Sequence, residues 1–267
     1  MSVQDVTDDD IRPTSLPVNN SAIGKAVAVL SALRSSRGPM TLTAIAEAIG
    51  VAPSSAHSIL SHLLKESMVL QVQDKRYELG PQLFYLGAGY AGSTAVYRAT
   101  WMELVDAAAE LGVTSAVAVQ WDDSFLVLNS HRAGRANVAM PFAGRVPLDA
   151  SSWGKVYFAW SGAKLPTKLT RYTEATITNP KAYAEEIQLT RQRGYATDRG
   201  EFHEGVGGVC APVTSSAGFE GLATFVVPLD RLQDADCERL GQALVAITAR
   251  ASLTLGDVGQ VKFFGSA

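Results

Sequence analysis

Between Pro53 and Lys65 the chain reads PSSAHSILSHLLK, a run in which hydroxyls and imidazoles share a helical period with apolar residues. Ala56, Ile59, Leu60 and Leu63 recur at i, i+3, i+4 and i+7, which gathers them on one face. Ser54, Ser58, Ser61 and Lys65 fall opposite, flanked by Ser55, His57 and His62. Short hydroxyl side chains let a helix lie close to the floor of a major groove, where they bond base edges or phosphate oxygens. The chemistry this spacing points to is hydrogen-bonded reading of double-stranded DNA. The plain structural alternative is a helical hairpin inside a packed domain, and the flanking elements separate the two.

Other reactive side chains do not assemble into a site. His203 and Cys210 are a base and a nucleophile by type, but no glycine elbow or orienting motif accompanies them. Gly205, Gly207 and Gly208 resemble no phosphate loop, because no helix start with Lys-Ser/Thr follows. His, Cys, Asp and Glu show no metal-ligand spacing. Catalysis, a cofactor and a metal are therefore not expected. Cys210 and Cys237, without CxxC spacing, also argue against a disulfide framework.

The elements that must position the serine-faced helix are legible around it. Before it, a helix carries Thr43 as its candidate N-cap, Ile45 and Ile49 as its inward side and Gly50 just past its end. Gly50-Val51-Ala52 is then a tight turn, and Pro53 suits a first helical turn because its missing N–H costs nothing there. Further upstream, Ile23, Val27, Leu30 and Leu33 predict another amphipathic helix. Downstream, Met68–Val72 and Arg76–Leu79 are strand-like runs around the polar turn Gln73-Asp74-Lys75. Two strands after a reading helix make a wing, and Lys75 and Arg76 would meet phosphates there. Residues 21–80 thus form a winged helix-turn-helix unit whose expected DNA contacts are Arg37, Thr43, Ser54, Ser55, His57, Ser58, Ser61, Lys65, Lys75 and Arg76.

Charge limits how that unit can bind. The whole chain carries a net charge of −3, whereas proteins that bind nucleic acid by charge alone are basic. Residues 21–80 hold six Lys and Arg against four Asp and Glu, a surplus of +2. Asp5, Asp8, Asp9 and Asp10 lie in residues 1–20, which read as a disordered acidic tail. A small surplus predicts modest affinity per copy, made specific by pairing two copies on a two-fold operator.

At 267 residues and 47% hydrophobic content, the chain suits two domains with real cores. No apolar run reaches membrane-spanning length and the N-terminus is acidic, so a soluble cytoplasmic protein with no membrane partner is expected. Residues 81–93, an apolar helix interrupted by glycines, read as a linker. Ala95–Leu111 reads as a longer helix with Trp101, Leu104, Val105 and Ala108 on one side. After it, Thr114–Gln120 and Ser124–Asn129 predict a hairpin around Trp121-Asp122-Asp123, and further strands fall at Val206–Val213 and Phe219–Val227. Helices are expected at Ser151–Trp160, Ala182–Gln192 and Ala235–Leu255. Residues 94–260 therefore make an α+β sheet domain with helices on its face.

These blocks together resemble the IclR family of transcriptional regulators over roughly residues 21–255. LTAIAEAIGVAPSSAHSILSHL and RYELGPQLFYLG carry the likeness in the first domain. GRVPLDASSWGKVYFAW, LTRYTEATITNPKAYAEEIQLTRQRGYATDRGEFHEGVGGVCAPV and GFEGLATFVV carry it in the second. The resemblance implies an N-terminal winged helix-turn-helix domain, a linker helix and a C-terminal GAF-like α/β effector-binding domain. It further implies a homodimer or homotetramer that acts on a DNA operator, often beside a catabolic operon, and responds to a small organic effector.

Departures from the family pattern are specific to this chain. The recognition helix has Pro53 and Ser58 where relatives often place basic residues. A bidentate Arg–guanine pair is worth about 1–3 kcal/mol of discrimination, so specificity must come from Ser, His57, DNA shape or the wing. In the second domain, Ser152 and Trp153 stand where small residues are usual, Asp198 is retained, and Gly208 replaces a cysteine that reappears two residues on as Cys210. Phe225 and Val227 correspond to two serines that hold a small carboxylate in resembling proteins. With Met140, Phe142 and Val206 these residues form the expected effector set. Trp153 and Phe225 are expected to sandwich a ring, which points to an aromatic acid or its derivative; the family resemblance implies a regulator of a catabolic operon, expected to be a repressor. Two other readings stay open: a DNA-binding regulator whose pocket Trp153 plugs, and a small-molecule-binding protein that uses the winged domain for protein contacts.

Overall fold

A computed structural model of the chain describes residues 4–5, 20–133, 138–140 and 143–258. It divides into two compact units, Pro13–Ser93 and Thr94–Ala267 together with Met1–Arg12.

The first unit is three helices and a hairpin. Helix α1 spans Ala22–Ser35 and is capped by the Ser21 hydroxyl, which accepts from Gly24 N at 3.0 Å. Its inward stripe is rotated from the one the spacing predicts. Val29 and Leu33 are buried, whereas Ile23 is 78% exposed and Val27 44%. Apolar residues lie on nearly every side of this helix, so periodicity alone could not choose the face, and packing against the next two helices did. Helix α2 covers Leu42–Ile49 and ends on Gly50 in the left-handed conformation, as expected. Its N-cap is Thr41, which accepts from Ala44 N at 3.2 Å, so the expected cap Thr43 instead sits exposed in the first turn. Helix α3 spans Pro53–Lys65 with Pro53 at its start. Strands β2 (Val69–Gln71) and β3 (Tyr77–Leu79) pair antiparallel, and Met40 bridges to Tyr77. Val29, Ile45, Ile49, Leu60, Leu63, Val69 and Tyr77 make the core.

Helix α4 (Pro81–Ser93) leaves the hairpin at Gly80. Gly80 N donates to Met68 O at 2.8 Å and Gln82 N to Ser67 O at 3.2 Å. A Cβ at Gly80 would lie 2.2 Å from the Ser67 carbonyl oxygen, so only glycine lets the two backbones close this way.

The second unit is a six-stranded antiparallel sheet between helical layers. Its strands are β4 (Thr114–Trp121), β5 (Ser124–Arg132), β7 (Arg145–Pro147), β8 (Ala196–Arg199), β9 (Val206–Ser215) and β10 (Gly218–Pro228), in the order β7-β5-β4-β10-β9-β8. Two-residue strands β1 (Gln4–Asp5) and β6 (Val138–Ala139) pair parallel beside it. Those two residues of the expected tail are therefore paired. Helices α5 (Ala95–Leu111) and α8 (Asp234–Val258) cover one face, and α6 (Ser151–Trp160), backed by α7 (Pro180–Arg193), covers the other. Among the described residues no helix is long and apolar enough to cross a membrane.

Period-two alternation sorts the strands between the two layers. Val209, Ala211 and Val213 on β9, with Ala223, Phe225 and Val227 on β10, pack under α5 and α8. Cys210 and Leu222 pack under α6 with Ala116, Ala118, Phe125, Val127 and Trp153. The hairpin β4–β5, the long pair β9–β10 and α6 follow the sequence expectation, while β6, β7 and β8 are short strands that propensity does not mark.

Candidate functional site

On α3 the exposed row is Ser54, Ser55, His57, Ser58, His62 and Lys65, and the locked face is Ala56, Leu60 and Leu63. Two hydroxyl and imidazole groups turn back on the helix. Ser61, half-buried, donates its hydroxyl to His57 O at 2.8 Å, and His62 Nδ1 bonds Ser58 O at 2.7 Å. Ser61 is thus the least available member of the expected contact set. Ser54, Ser55, His57 and Ser58 share the open, N-terminal half of the helix, the half that enters a groove most deeply in helix-turn-helix proteins.

The wing is a tight tip with one protruding cation. Asp74 and Lys75 both take positive φ, 57° and 55°, which bends the chain back within three residues. Lys75 is exposed at that tip. Arg76 is exposed too, but its guanidinium donates to Pro39 O at 3.1 Å and so leans on the loop between α1 and α2. Arg37 lies exposed in that same loop.

The second site is a small cavity of about 50 Å³ between α6 and the sheet. Met140, Ser152, Trp153, Asp198, Val206 and Gly208, all expected, line it. Phe142 lies outside the described residues. Phe225 and Val227 are corrections: they face α5 and α8 on the far side of the sheet, so Phe225 cannot stack with Trp153. Their neighbours Thr224 and Val226 face the cavity instead. A one-residue shift reverses every side chain of a strand, so assigning the pocket to 225 and 227 put on the far face what 224 and 226 put on the cavity. The pairing Thr224↔Cys210 and Val226↔Gly208 fixes the true register. Cys210 shares the cavity's side of the sheet but packs in the core against Trp153's cluster rather than on the cavity wall.

Sequence reasoning missed Ser151, Phe202 and Thr224, and it weighed His203 only as a catalytic base; all four line the cavity. Alternation anchored on a correctly paired strand would have found Thr224. Ser151 begins α6 with φ +53°, a conformation that costs a serine roughly 1–3 kcal/mol and clusters at working sites. Trp153 stands in the first turn of α6, its ring edge-on to Phe125 with centroids 5.7 Å apart.

Of the buried charged groups nearby, Asp198 stands in the cavity wall, while Lys155 and Glu201 lie outside its lining. Lys155, two residues past Trp153 on α6 and 1% exposed, donates to Thr197 O at 2.8 Å and to Glu201 Oε1 at 2.6 Å. Asp198 accepts from Glu201 N at 2.8 Å. Burial, reinforced by the Glu201 carboxylate and opposed by the Glu201 N–H and Lys155, pushes the Asp198 carboxyl up to about 7. Burial also holds the Cys210 thiol well above its ordinary value, so the thiolate that nucleophilic chemistry needs is suppressed. Among the described residues no group of His, Cys, Asp and Glu could hold a metal ion.

Comparison with known proteins covers both units. The family described as "IclR helix-turn-helix domain" matches residues 22–73, and that described as "Bacterial transcriptional regulator IclR C-terminal" matches residues 91–253. The Transcriptional repressor IclR of Escherichia coli (strain K12) is 24% identical over 250 residues, 89% of this chain and 90% of that one. The crystal structure of an IclR transcriptional regulator from Alicyclobacillus acidocaldarius superposes with a TM-score of 0.78 at 28% identity, covering 88% of this chain and 98% of that one. An IclR homologue from Microbacterium hydrocarbonoxydans, solved in complex with 4-hydroxybenzoate, shares the fold with a TM-score of 0.72 at 21% identity, covering 86% and 99%.

Proposed function

Because the chain belongs to the IclR family of DNA-binding transcriptional regulators, we propose that α3 is its reading helix and that the cavity under α6 is the seat of a small organic effector. The observation that carries the first half is the exposed row Ser54, Ser55, His57 and Ser58 on a helix whose opposite face is fixed in a core. These four read base edges, while Arg37, Lys65, Lys75 and Arg76 meet phosphates. No arginine stands in the row, so sequence preference rests on hydroxyls, one imidazole and DNA shape.

Two-fold pairing supplies the rest of the specificity. Helix α4 has no buried residue and exposes Phe84, Tyr85, Leu86 and Tyr90, with Phe84 and Tyr85 more than 70% open. Contiguous apolar surface of this kind marks an interaction face, and a second copy of the chain is the occupant we assign to it. Residues 81–93 then serve both as the linker between the domains 21–80 and 94–260 and as a dimer contact.

In the second unit, Trp153, Phe202 and Met140 give the cavity aromatic and thioether walls, which suits a ring-bearing effector. That a homologue of the same fold was solved with 4-hydroxybenzoate is consistent with this choice. Among the described residues the cavity's polar lining is Ser151, Ser152, Asp198, His203 and Thr224, so a carboxylate there would meet hydroxyls and an imidazole rather than a guanidinium or an ammonium. Occupancy alters the spacing of the two reading helices, so that half-sites fit or fail to fit, and repression of a catabolic operon is the expected outcome. A gel-shift with DNA from the gene's own neighbourhood, with and without 4-hydroxybenzoate or pyruvate, tests this. Retardation relieved by the aromatic acid is expected. No retardation on any such fragment overturns the DNA reading, and relief by pyruvate alone overturns the aromatic effector.

A further inference from the structure

The cavity under α6 measures about 50 Å³, room for one or two water molecules, whereas sites that hold organic ligands start at roughly 300 Å³. One large buried ring stands in the cavity wall. Trp153 is 3% exposed, packs edge-on against Phe125 and lines the cavity beside Ser152 and Asp198. One feature sets it apart from an ordinary core tryptophan: the ring stands two residues after Ser151, whose positive φ stores strain at the start of the same helix, and the Trp153 backbone N reaches Ser151 Oγ at 3.3 Å.

Resting on the reading of this cavity as the effector site, we propose that Trp153 is a tethered, displaceable occupant: its indole stands where an effector's ring goes, and a ligand binds by driving it out. The pocket is then selective by exchange. A ligand must replace the contacts that the indole gives up against Phe125, which a flat ring does and a short oxoacid does not. Apparent affinity is lowered by the small fraction of molecules with the ring out, and deleting the ring removes that penalty. Truncation leaves an apolar hole on the order of 150 Å³, a size that takes up benzene in other protein cores.

The test titrates indole and benzoate by calorimetry into the full-length wild type, Trp153→Ala and Trp153→Leu. Trp153→Ala is expected to bind indole at least tenfold more tightly than wild type, with Trp153→Leu between them, and benzoate to follow the same order. Added indole should raise the melting temperature of Trp153→Ala by several degrees and leave the wild type unmoved at the same concentration. Equal indole affinity in all three proteins overturns the proposal. Should Trp153→Ala not fold, Trp153→Leu decides alone: tighter binding than wild type supports a displaceable ring, and unchanged or weaker binding makes Trp153 a fixed core residue. Gel-shifts on the same proteins keep this separate from the regulator reading, since loss of operator binding would not alter the ligand titrations.

Discussion

The two units keep their working groups on opposite sides of their cores. In the first, Ser54, Ser55, His57 and Ser58 stand outside a small core and contribute almost nothing to it. In the second, Trp153, Asp198 and Thr224 are themselves core, each at most 8% exposed. The difference teaches that one surface can drift in specificity without cost in stability, while the other cannot change its ligand without rebuilding its packing. The N-terminal half of α3 can therefore vary its exposed side chains without disturbing the packing, whereas each residue around Trp153 is held by its neighbours.

Substitutions that should break or sharpen this contrast begin with the buried charges. Glu201→Ala leaves the Lys155 ammonium without its partner, and breaking a buried pair from one side costs about 3–5 kcal/mol; chemical denaturation should show that loss in the second unit. Pairing it with Lys155→Met should recover most of the stability, and failure to recover would mean that the ammonium is solvated after all. Phe225→Ala should cost a comparable 3–5 kcal/mol yet leave ligand preference unchanged, because the ring lies across the sheet from the cavity. Val226→Ala should do the reverse, changing ligand affinity at a smaller stability cost. If Phe225→Ala instead altered ligand choice with little loss of stability, the strand register would be wrong.

Protonation gives the next effect. The Asp198 carboxyl is raised to about 7 from an unfolded value near 4, so between those limits the native state binds more protons than the unfolded one. Stability contributed by this group is complete below about pH 4, falls as pH rises towards 7 and is flat beyond. Asp198→Asn should remove that slope, measured as the difference between wild-type and variant stability curves. On the outer surface, His57→Ala and Ser58→Ala should leave stability within about 0.5 kcal/mol while changing which operator sequences are preferred. The smallest expected change is Lys75→Ala, which should weaken all sequences alike and lower the salt slope of binding by about 1.

Helical periodicity carried most of what could be read in advance. The buried face of α3, the glycine stop of α2 and the span of α6 are visible because 3.6-residue patterns tolerate an error of one position. Strand patterns do not: assigning the pocket to Phe225 and Val227 chose two side chains on the far face of the sheet. The Lys155–Glu201 pair joins residues 46 apart in sequence through a loop, and nothing local to either residue announces it. The same holds for the 50 Å³ volume, which depends on how α6 settles on the sheet rather than on any motif. Helix α1 failed for the opposite reason, having too many apolar sides rather than too few.

Gly80 carries a mechanical consequence. Because the strand leaving the wing touches Ser67 backbone to backbone, the first turn of α4 is bolted to the end of α3 with no slack residue between. The winged unit and its exit helix are then a crank and its shaft. A side chain at position 80 would have to push the Ser67 carbonyl aside, so a substitution there should loosen the joint between α4 and the end of α3.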